Sequence, residues 1–250
     1  EIRLSLVGSE MCIRDSHDYG LNDGGKDYKL KKEAQKMFLN FWNISSSDPR
    51  SIREGTYFKK TKNINGTAVE IIGLDTRYFR SKLLRKRNAY KPNMQPEATI
   101  LGQKQWKWLE SSMNQTTASI IVILSSIQIL ATEHPYEKWA NFPLERKRLL
   151  NLISLVSNDK TIVAVSGDRH RAGIYRNNHF VEITASSLNK PGSKDSETDK
   201  LLIDKIFPEI NYGILDIEPE KNKITVSIHN RDGLVLNSQI IKLPLEKTEA

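Results

Sequence analysis

The stretch that most constrains the fold is a short β-branched run that stops at a glycine and is followed by three polar side chains. The residues TIVAVS at positions 161–166 precede Gly167, Asp168, Arg169 and His170. Such a run predicts a strand that is buried on both faces. Ligands of open α/β sheets bind in the crevice beyond the C-terminal ends of strands, so these three side chains stand where a functional site is expected.

Asp168 and His170 have the spacing of a pair of metal ligands. In an extended chain, residues two apart point to the same side, so a carboxylate and an imidazole can converge on one cation. A loop aspartate paired with Arg169, beside a surface histidine, explains the same pattern equally well. The spacing alone therefore leaves both interpretations open.

The segments around this run predict a sheet covered by helices. Ser119 to Leu124 is a second buried strand, and Pro143 begins a helix that leads into the run at 161–166. A strand, a helix and a strand in this order predict two adjacent parallel strands. Further strands are predicted at 56–59, 68–74, 172–176, 180–184, 212–217, 223–229 and 234–243. The fold class is therefore α/β (α+β).

Three local patterns in the first half of the chain give further predictions. Asn65-Gly66 accepts the positive φ angles of a tight hairpin turn and joins two of the strands. Asp75 and Arg77, at the end of the second of these strands, predict a structural ion pair rather than a site. One more set of apolar residues recurs at helical spacing and predicts the buried stripe of a helix: Leu30, Ala34, Met37, Phe38 and Phe41.

Charge and cysteine content limit the classes of function. The formal net charge of +8 favours an anionic partner, which is a phosphate ester, a nucleic acid or an acidic surface. Cys12 is the only cysteine, so no disulfide forms within the chain and no thiolate cluster binds zinc. No apolar run approaches the roughly 18 residues of a membrane span. The length of 250 residues fits one core.

The first sixteen residues do not look like the opening of a folded domain. The segment LVGSEMCIRDS at 6–16 resembles translated sequencing-adapter read-through at the broken end of a gene prediction. On this interpretation residues 1–16 are a non-native leader, Cys12 is not native, and residues 17–250 are the C-terminal part of a single domain. No signal peptide is recognisable at the N-terminus, and under this interpretation its absence does not indicate the compartment.

Three polar clusters follow or flank the buried segments, at 17–23, 125–134 and 167–170. Clusters that mix Asp, Asn and His without cysteine suit hard or borderline cations such as Ca²⁺, Mn²⁺, Fe or Zn²⁺. A pair of such metals can polarise a phosphoryl oxygen and activate water. A hydrolytic site for an anionic ester is therefore the natural use of these clusters.

Five motifs in order resemble those of PhoD-type alkaline phosphatases, a branch of the calcineurin-like metallophosphoesterases. They are HDYGLNDGG at 17–25, IGLDTRYFR at 72–80, LGQKQWKWL at 101–109, SSIQ at 125–128 and SGDRH at 166–170. The resemblance runs from about His17 to the C-terminus. It implies a β-sandwich flanked by helices, metallophosphoesterase-like and incomplete at the N-terminus, with metal ions at the loops that end its strands. It also implies a periplasmic or extracellular location for the full-length parent.

Site residues follow from the same resemblance. Asp168 and His170 match the family's Gly-Asp-x-His metal ligands, and Asn22 matches an amide ligand. His17 matches a histidine that acts near the leaving group, and Arg169 is either a phosphate contact or part of a salt bridge. Three weaker candidates, for contact with the substrate or with the metal ligands, are Asp18, Gln128 and His134. By resemblance the metals are Ca²⁺ and Fe³⁺, with Mn²⁺ or Zn²⁺ as alternatives.

The sequence also departs from the family pattern. Ser16 stands where an aspartate is expected, and the family's upstream metal ligands do not precede His17. The expected function is therefore metal-dependent hydrolysis of phosphoric esters by a fragment that is impaired on its own.

Two alternatives remain beside this function. One is a phosphodiesterase or phospholipase-type activity on the same scaffold, and the other is a non-catalytic polyanion-binding module. A small phosphate ester is the expected partner, with no specific nucleic acid and no membrane span. The sequence does not indicate the oligomeric state.

Overall fold

The computed structural model describes residues 3–6, 19–192 and 197–244, with the backbone alone for 3–6. These residues form a seven-stranded mixed sheet, a four-stranded antiparallel sheet and a two-stranded hairpin. The strands are β1 (Arg3–Leu6), β2 (Phe58–Ile64), β3 (Thr67–Gly73), β4 (Leu84–Lys86), β5 (Ala89–Lys91), β6 (Ile120–Ser125), β7 (Thr161–Ser166), β8 (Ala172–Asn177), β9 (Phe180–Ala185), β10 (Leu202–Phe207), β11 (Asn211–Glu218), β12 (Lys223–Asn230) and β13 (Val235–Lys242). The α-helices are α1 (Lys31–Phe41), α2 (Pro49–Ile52), α3 (Gly102–Gln115) and α4 (Pro143–Val156).

The seven-stranded sheet has the strand order β10-β8-β9-β7-β6-β3-β2. Its centre, β3, β6, β7 and β9, is parallel, with Ile121 opposite Ile162 in the pair β6–β7. The predicted crossover is confirmed, since α4 begins at Pro143 and connects β6 to β7. The hairpin prediction is also confirmed, because Asn65 (φ 48°) and Gly66 (φ 86°) alone join β2 to β3. Parallel strands end at one edge, so the loops after β3, β6 and β7 meet there.

Two cores cover the two faces of this sheet. Alternate residues of β6 face opposite sides: Val122 belongs to the core that includes Val226 of the four-stranded sheet, and Ile121 belongs to the core that includes Trp106 of the helices. Every residue of β6 and β7 is buried, as the β-branched runs predict. A β-sandwich with helices on its outer face is the expected fold class, and it is confirmed. None of the helices in the described ranges has the length and apolar character needed to cross a bilayer.

Several local features differ from the sequence predictions. β1, which lies in the expected leader, pairs with β11 in the four-stranded sheet. The predicted buried stripe of α1 is wrong for Leu30, Met37 and Phe41, which are exposed, whereas Phe38 is buried as expected. The physical reason is Gln35, which faces inward. Its Nε2 donates to the carbonyl oxygens of Arg50 (3.0 Å) and Arg53 (2.8 Å), and its Oε1 accepts from Gly55 N–H (2.9 Å).

Gln35→Leu is therefore expected to destabilise the protein although it adds apolar surface to a buried position. Three backbone groups lose their partner, and the free energy of unfolding should fall by about 2–3 kcal/mol. Urea denaturation followed by circular dichroism measures this loss. Asn40→Leu on the exposed side of the same helix is the matched control, with a change within about 0.5 kcal/mol. Equal losses in the two variants would contradict the role given to Gln35.

Candidate functional site

Three charged side chains meet at the edge where β3, β6 and β7 end. Arg77 follows β3, Glu137 lies in the long loop after β6, and Asp168 is the second residue beyond β7. Asp23 joins them from the glycine-rich segment that precedes α1. The parallel order of the strands places these loops side by side, so residues that are far apart in sequence converge on one point.

Asp23, Glu137 and Asp168 form an acidic cluster. One carboxylate oxygen from each lies within 4.8 Å of the other two. Glu137 is buried, and the two aspartates are half-buried. Oxygen donors at this spacing are the set that hard cations prefer, so the cluster fits the metal ions that the sequence predicts.

Two buried arginines balance the acidic cluster. The Arg77 guanidinium is fully buried, donates to Asp168 Oδ2 at 2.6 Å and pairs through its other terminal nitrogen with Glu137. Arg80 Nε lies 2.7 Å from Glu137 Oε1, and its Nη2 donates to the carbonyl oxygens of Asp23 and Gly24. Burial by itself lowers the pKa of Arg77, but the carboxylates of Glu137 and Asp168 raise it above its usual value. Arg77 therefore stays charged and neutralises part of the cluster.

Asp75 positions Arg77 through the backbone rather than through an ion pair. Its Oδ1 accepts from the backbone N–H groups of Arg77 and Tyr78, both at 2.9 Å, and its Oδ2 accepts from Thr56 N–H at 2.8 Å. The predicted Asp75–Arg77 ion pair is wrong, because the Asp75 carboxylate is engaged with these amides and the guanidinium pairs with Glu137 and Asp168. Asp75 thus fixes the turn that carries Arg77 into the site.

The turn after β7 has an unusual backbone. Asp168 (φ 59°) and His170 (φ 53°) both adopt the left-handed conformation, so the pair is not extended as the ligand-spacing argument assumes. This region is uncommon for residues other than glycine, although Asp, Asn and His tolerate it best. Each such residue costs on the order of 1–3 kcal/mol, and such strain concentrates at functional sites. The turn brings the Asp168 carboxylate close to those of Asp23 and Glu137.

His170 lies in the same cleft as Asp168. Its Nδ1 is 3.0 Å from the carbonyl oxygen of Lys190, so Nδ1 carries the proton and donates, and Nε2 is left as an acceptor. A backbone carbonyl on the far nitrogen is the arrangement that commonly orients a metal-binding histidine. Among the described residues, the cluster of possible metal ligands that lie within 4.8 Å of one another does not include His170.

The remaining predicted site residues lie at different places. Asn22 lines the cleft and donates to Asp23 Oδ2 at 3.2 Å. Arg169 also lines the cleft and pairs with Glu197. Gln128 is buried and donates to Thr184 Oγ1 at 2.9 Å, and His134 Nδ1 accepts from the backbone N–H of Tyr136 at 3.2 Å. The predicted His17 and Asp18 lie outside the described residues.

Sequence reasoning missed two of the three carboxylates in the cluster. Asp23 lies in the polar stretch at 17–25 but was assigned no role, and Glu137 was not considered. One signal in the sequence was Arg77, because a cation placed directly after a buried strand needs anionic partners elsewhere in the chain.

All three carboxylates border one cleft of about 470 Å³, which Asn22, Tyr136, Arg169, Arg171 and Lys190 also line.

Comparison with known proteins gives one family match. A family model described as PhoD-like phosphatase matches residues 15–228. The match begins close to the predicted boundary between leader and domain at residue 16. No curated protein sequence matches the chain significantly.

Solved structures with the same fold include three from different sources. A PhoD structure superposes with a TM-score of 0.63 at 17% identity, covering 91% of this chain and 50% of PhoD. GAP50, the anchor in the inner membrane complex of Plasmodium, gives 0.60 at 15% identity, covering 91% and 66%. Purple acid phosphatase PPD1 from yellow lupin (Lupinus luteus) seeds gives 0.57 at 8%, covering 94% and 39%. The chain thus spans about half the length of PhoD, and the likeness establishes the fold.

Proposed function

The chain belongs to the PhoD-like phosphatase family, and on that premise we propose that it hydrolyses phosphoric esters with metal ions held at the acidic cluster. The observation that carries the proposal is the convergence of Asp23, Glu137 and Asp168 in one cleft at the ends of parallel strands. Carboxylates this close together repel one another and need compensating positive charge, which Arg77 supplies only in part.

We assign the metal ligands to the acidic cluster together with two further residues. His170, whose Nε2 is an acceptor, and Asn22, whose amide lies beside Asp23, complete the set. Bound Ca²⁺ and Fe³⁺, or alternatively Mn²⁺ or Zn²⁺, would supply Lewis-acid stabilisation of charge on a phosphoryl oxygen and lower the pKa of water. Carboxylate, amide and imidazole donors suit these hard and borderline ions.

The protein's own side chains have proposed roles in orienting the ester and moving protons. His17 donates a proton to the departing oxygen, and Asp18 contributes to the same segment. Arg169 contacts an anionic group of the substrate, since a guanidinium can form two parallel hydrogen bonds to phosphate. Gln128 and His134 support the loop after β6, which carries Glu137. The proposed domain runs over residues 17–250, and by family resemblance the parent protein is periplasmic or extracellular.

We also propose that turnover by this chain is slow. Arg77 already pairs with Glu137 and Asp168, so a metal ion must compete with a buried guanidinium for the same oxygens. The proposed activity includes both monoesters and diesters, and relative rates on the two substrates decide between phosphomonoesterase and phosphodiesterase character.

A metal-dependence assay tests the proposed function. The purified chain is treated with EDTA, supplied with Ca²⁺, Fe³⁺ or Mn²⁺, and assayed with p-nitrophenyl phosphate and bis-p-nitrophenyl phosphate. Low turnover that requires added metal and disappears with EDTA is expected. Failure of every metal to bind or to restore turnover would reject the hydrolytic site. Turnover at about 10 s⁻¹, a typical enzyme rate, would reject the proposed impairment.

A further inference from the structure

A cationic cluster lies beside the acidic cluster, and two of its members, Arg169 and Arg171, line the same cleft. Arg169 and Arg171 both pair with one carboxylate oxygen of Glu197, and the three side chains are only 4–8% exposed. Lys138 is a third cation in this group, close enough to Arg169 to interact electrostatically. A second carboxylate nearby, Asp199, accepts from backbone N–H groups of the loop after β6. Three buried cations thus lie near two partly buried carboxylates, Glu197 and Asp199, while a third carboxylate, Glu133, is exposed to solvent.

His134 lies within the electrostatic influence of the same three cations. Burial lowers the pKa of His134 far below its usual value, and the charges of Arg169, Lys138 and Arg171 lower it further. The neutral ring accepts at Nδ1 from Tyr136 N–H, which places the proton on Nε2. His134 is 3% exposed, and no hydrogen-bond partner for Nε2 occurs in the described part of the chain. A buried donor without a partner in cationic surroundings is complementary to an anion.

The arginines are held in place for such a ligand. The Arg169 guanidinium lies 4.9 Å above the ring of Tyr136, a cation–π contact that limits its movement. Among the described residues, the second carboxylate oxygen of Glu197 accepts only one long contact, 3.5 Å from Tyr175 Oη. Glu197 is thus a counterion that an oxyanion with more acceptor atoms can displace.

We propose that Arg169, Arg171 and His134 form a subsite for a second anionic group of the substrate, and that this group displaces Glu197. Arg169 and Arg171 alternate along the chain with Asp168 and His170, and all four line one cleft. A group bound there lies next to the ester held at the acidic cluster. The inference rests on the proposed function and deepens it: the substrate class is phosphate esters whose alcohol part carries a further phosphate or carboxylate.

Orthophosphate binding to the metal-free chain tests the subsite without any turnover. Isothermal titration in EDTA at low ionic strength should show binding, because the cationic cluster attracts phosphate although the acidic cluster beside it repels it. Arg171→Gln removes one charge-assisted hydrogen-bonding group and should weaken binding about tenfold. Glu197→Gln removes the competing carboxylate at constant size and should tighten binding at least about threefold. These opposite shifts distinguish a binding site from a merely structural ion-pair cluster.

The chain offers matched controls for both substitutions. Arg148 and Glu110 form another arginine–glutamate pair, on the helical layer, so Arg148→Gln and Glu110→Gln should leave phosphate binding unchanged. Thermal unfolding in phosphate-free buffer checks that each variant is folded, and if Arg171→Gln does not fold, the tighter binding expected of Glu197→Gln carries the test alone. A Glu197→Gln variant that binds phosphate no more tightly than the wild type overturns the proposal.

A comparison of two substrates tests the substrate class. Fructose 1,6-bisphosphate carries a second phosphate that fructose 1-phosphate lacks, and with added metal the bisphosphate should have the lower KM. Arg171→Gln should reduce this KM advantage about tenfold. Phosphate binding with the expected variant effects supports the subsite even when no metal restores turnover. Conversely, a chain that hydrolyses esters but binds no phosphate in EDTA overturns the subsite and leaves the proposed function intact.

Discussion

Asp168→Asn is expected to abolish metal-dependent hydrolysis, lowering kcat/KM by roughly 10³-fold. Asp168 supplies one of three converging carboxylates, and the amide that replaces it carries no charge to attract a cation. Asparagine tolerates the left-handed backbone that Asp168 adopts (φ 59°), so the turn after β7 should keep its shape. The loss should therefore come from the site rather than from unfolding.

Two measurements check this prediction, and one variant controls it. Turnover of p-nitrophenyl phosphate gives the loss of activity, and the rise in melting temperature on adding Mn²⁺ reports metal binding even where turnover is slow. Asp204→Asn is the matched control, because Asp204 also has a positive φ (66°) but is exposed on β10. If Asp168→Asn keeps both turnover and the Mn²⁺-dependent stabilisation, Asp168 does not bind the metal.

The layers of the fold were predictable because their signals are local and periodic. The β-branched runs at 119–124 and 161–166, with Pro143 opening the helix between them, predict two parallel strands, and the structure pairs them in register. Asn65-Gly66 specifies its own turn type. Burial of α1 was mispredicted since the decisive interaction, from Gln35 to the backbone of residues 50–55, is not encoded in helical spacing.

The candidate site was only half predictable for a related reason. Asp168 lies two residues after the end of β7, and ligands are expected to bind at the C-terminal ends of strands, so its position could be predicted. Glu137 lies twelve residues beyond β6, in a loop whose path depends on tertiary contacts such as the bonds from Ile129 and Leu130 N–H to the buried Glu182 carboxylate. Arg80 positions Asp23, because its Nη2 donates hydrogen bonds to the carbonyl oxygens of Asp23 and Gly24. No pattern along the chain specifies contacts of this kind.

Charge balance connects the two halves of the cleft. On one side, buried guanidinium groups partly neutralise an acidic cluster, and on the other, Glu197 partly neutralises a cationic one. On the two proposals above, a ligand of the same sign competes with each protein counterion: a metal ion with Arg77 and an anion with Glu197. Removing either counterion should therefore increase the stabilisation that the corresponding ligand gives to the folded chain.

Arg77→Leu is expected to cost about 3–5 kcal/mol of unfolding free energy in EDTA, since it leaves the buried Glu137 and the half-buried Asp168 without their common partner. Added Mn²⁺ should restore more stability to this variant than it adds to the wild type, by up to about 2.7 kcal/mol at a hundredfold excess over Kd. Urea denaturation with and without Mn²⁺ measures both effects. Arg148→Leu, at an exposed pair, should cost only about 0–1 kcal/mol and show no added response to metal. Equal metal responses in Arg77→Leu and the wild type would show that the guanidinium and the metal do not compete for the same carboxylates.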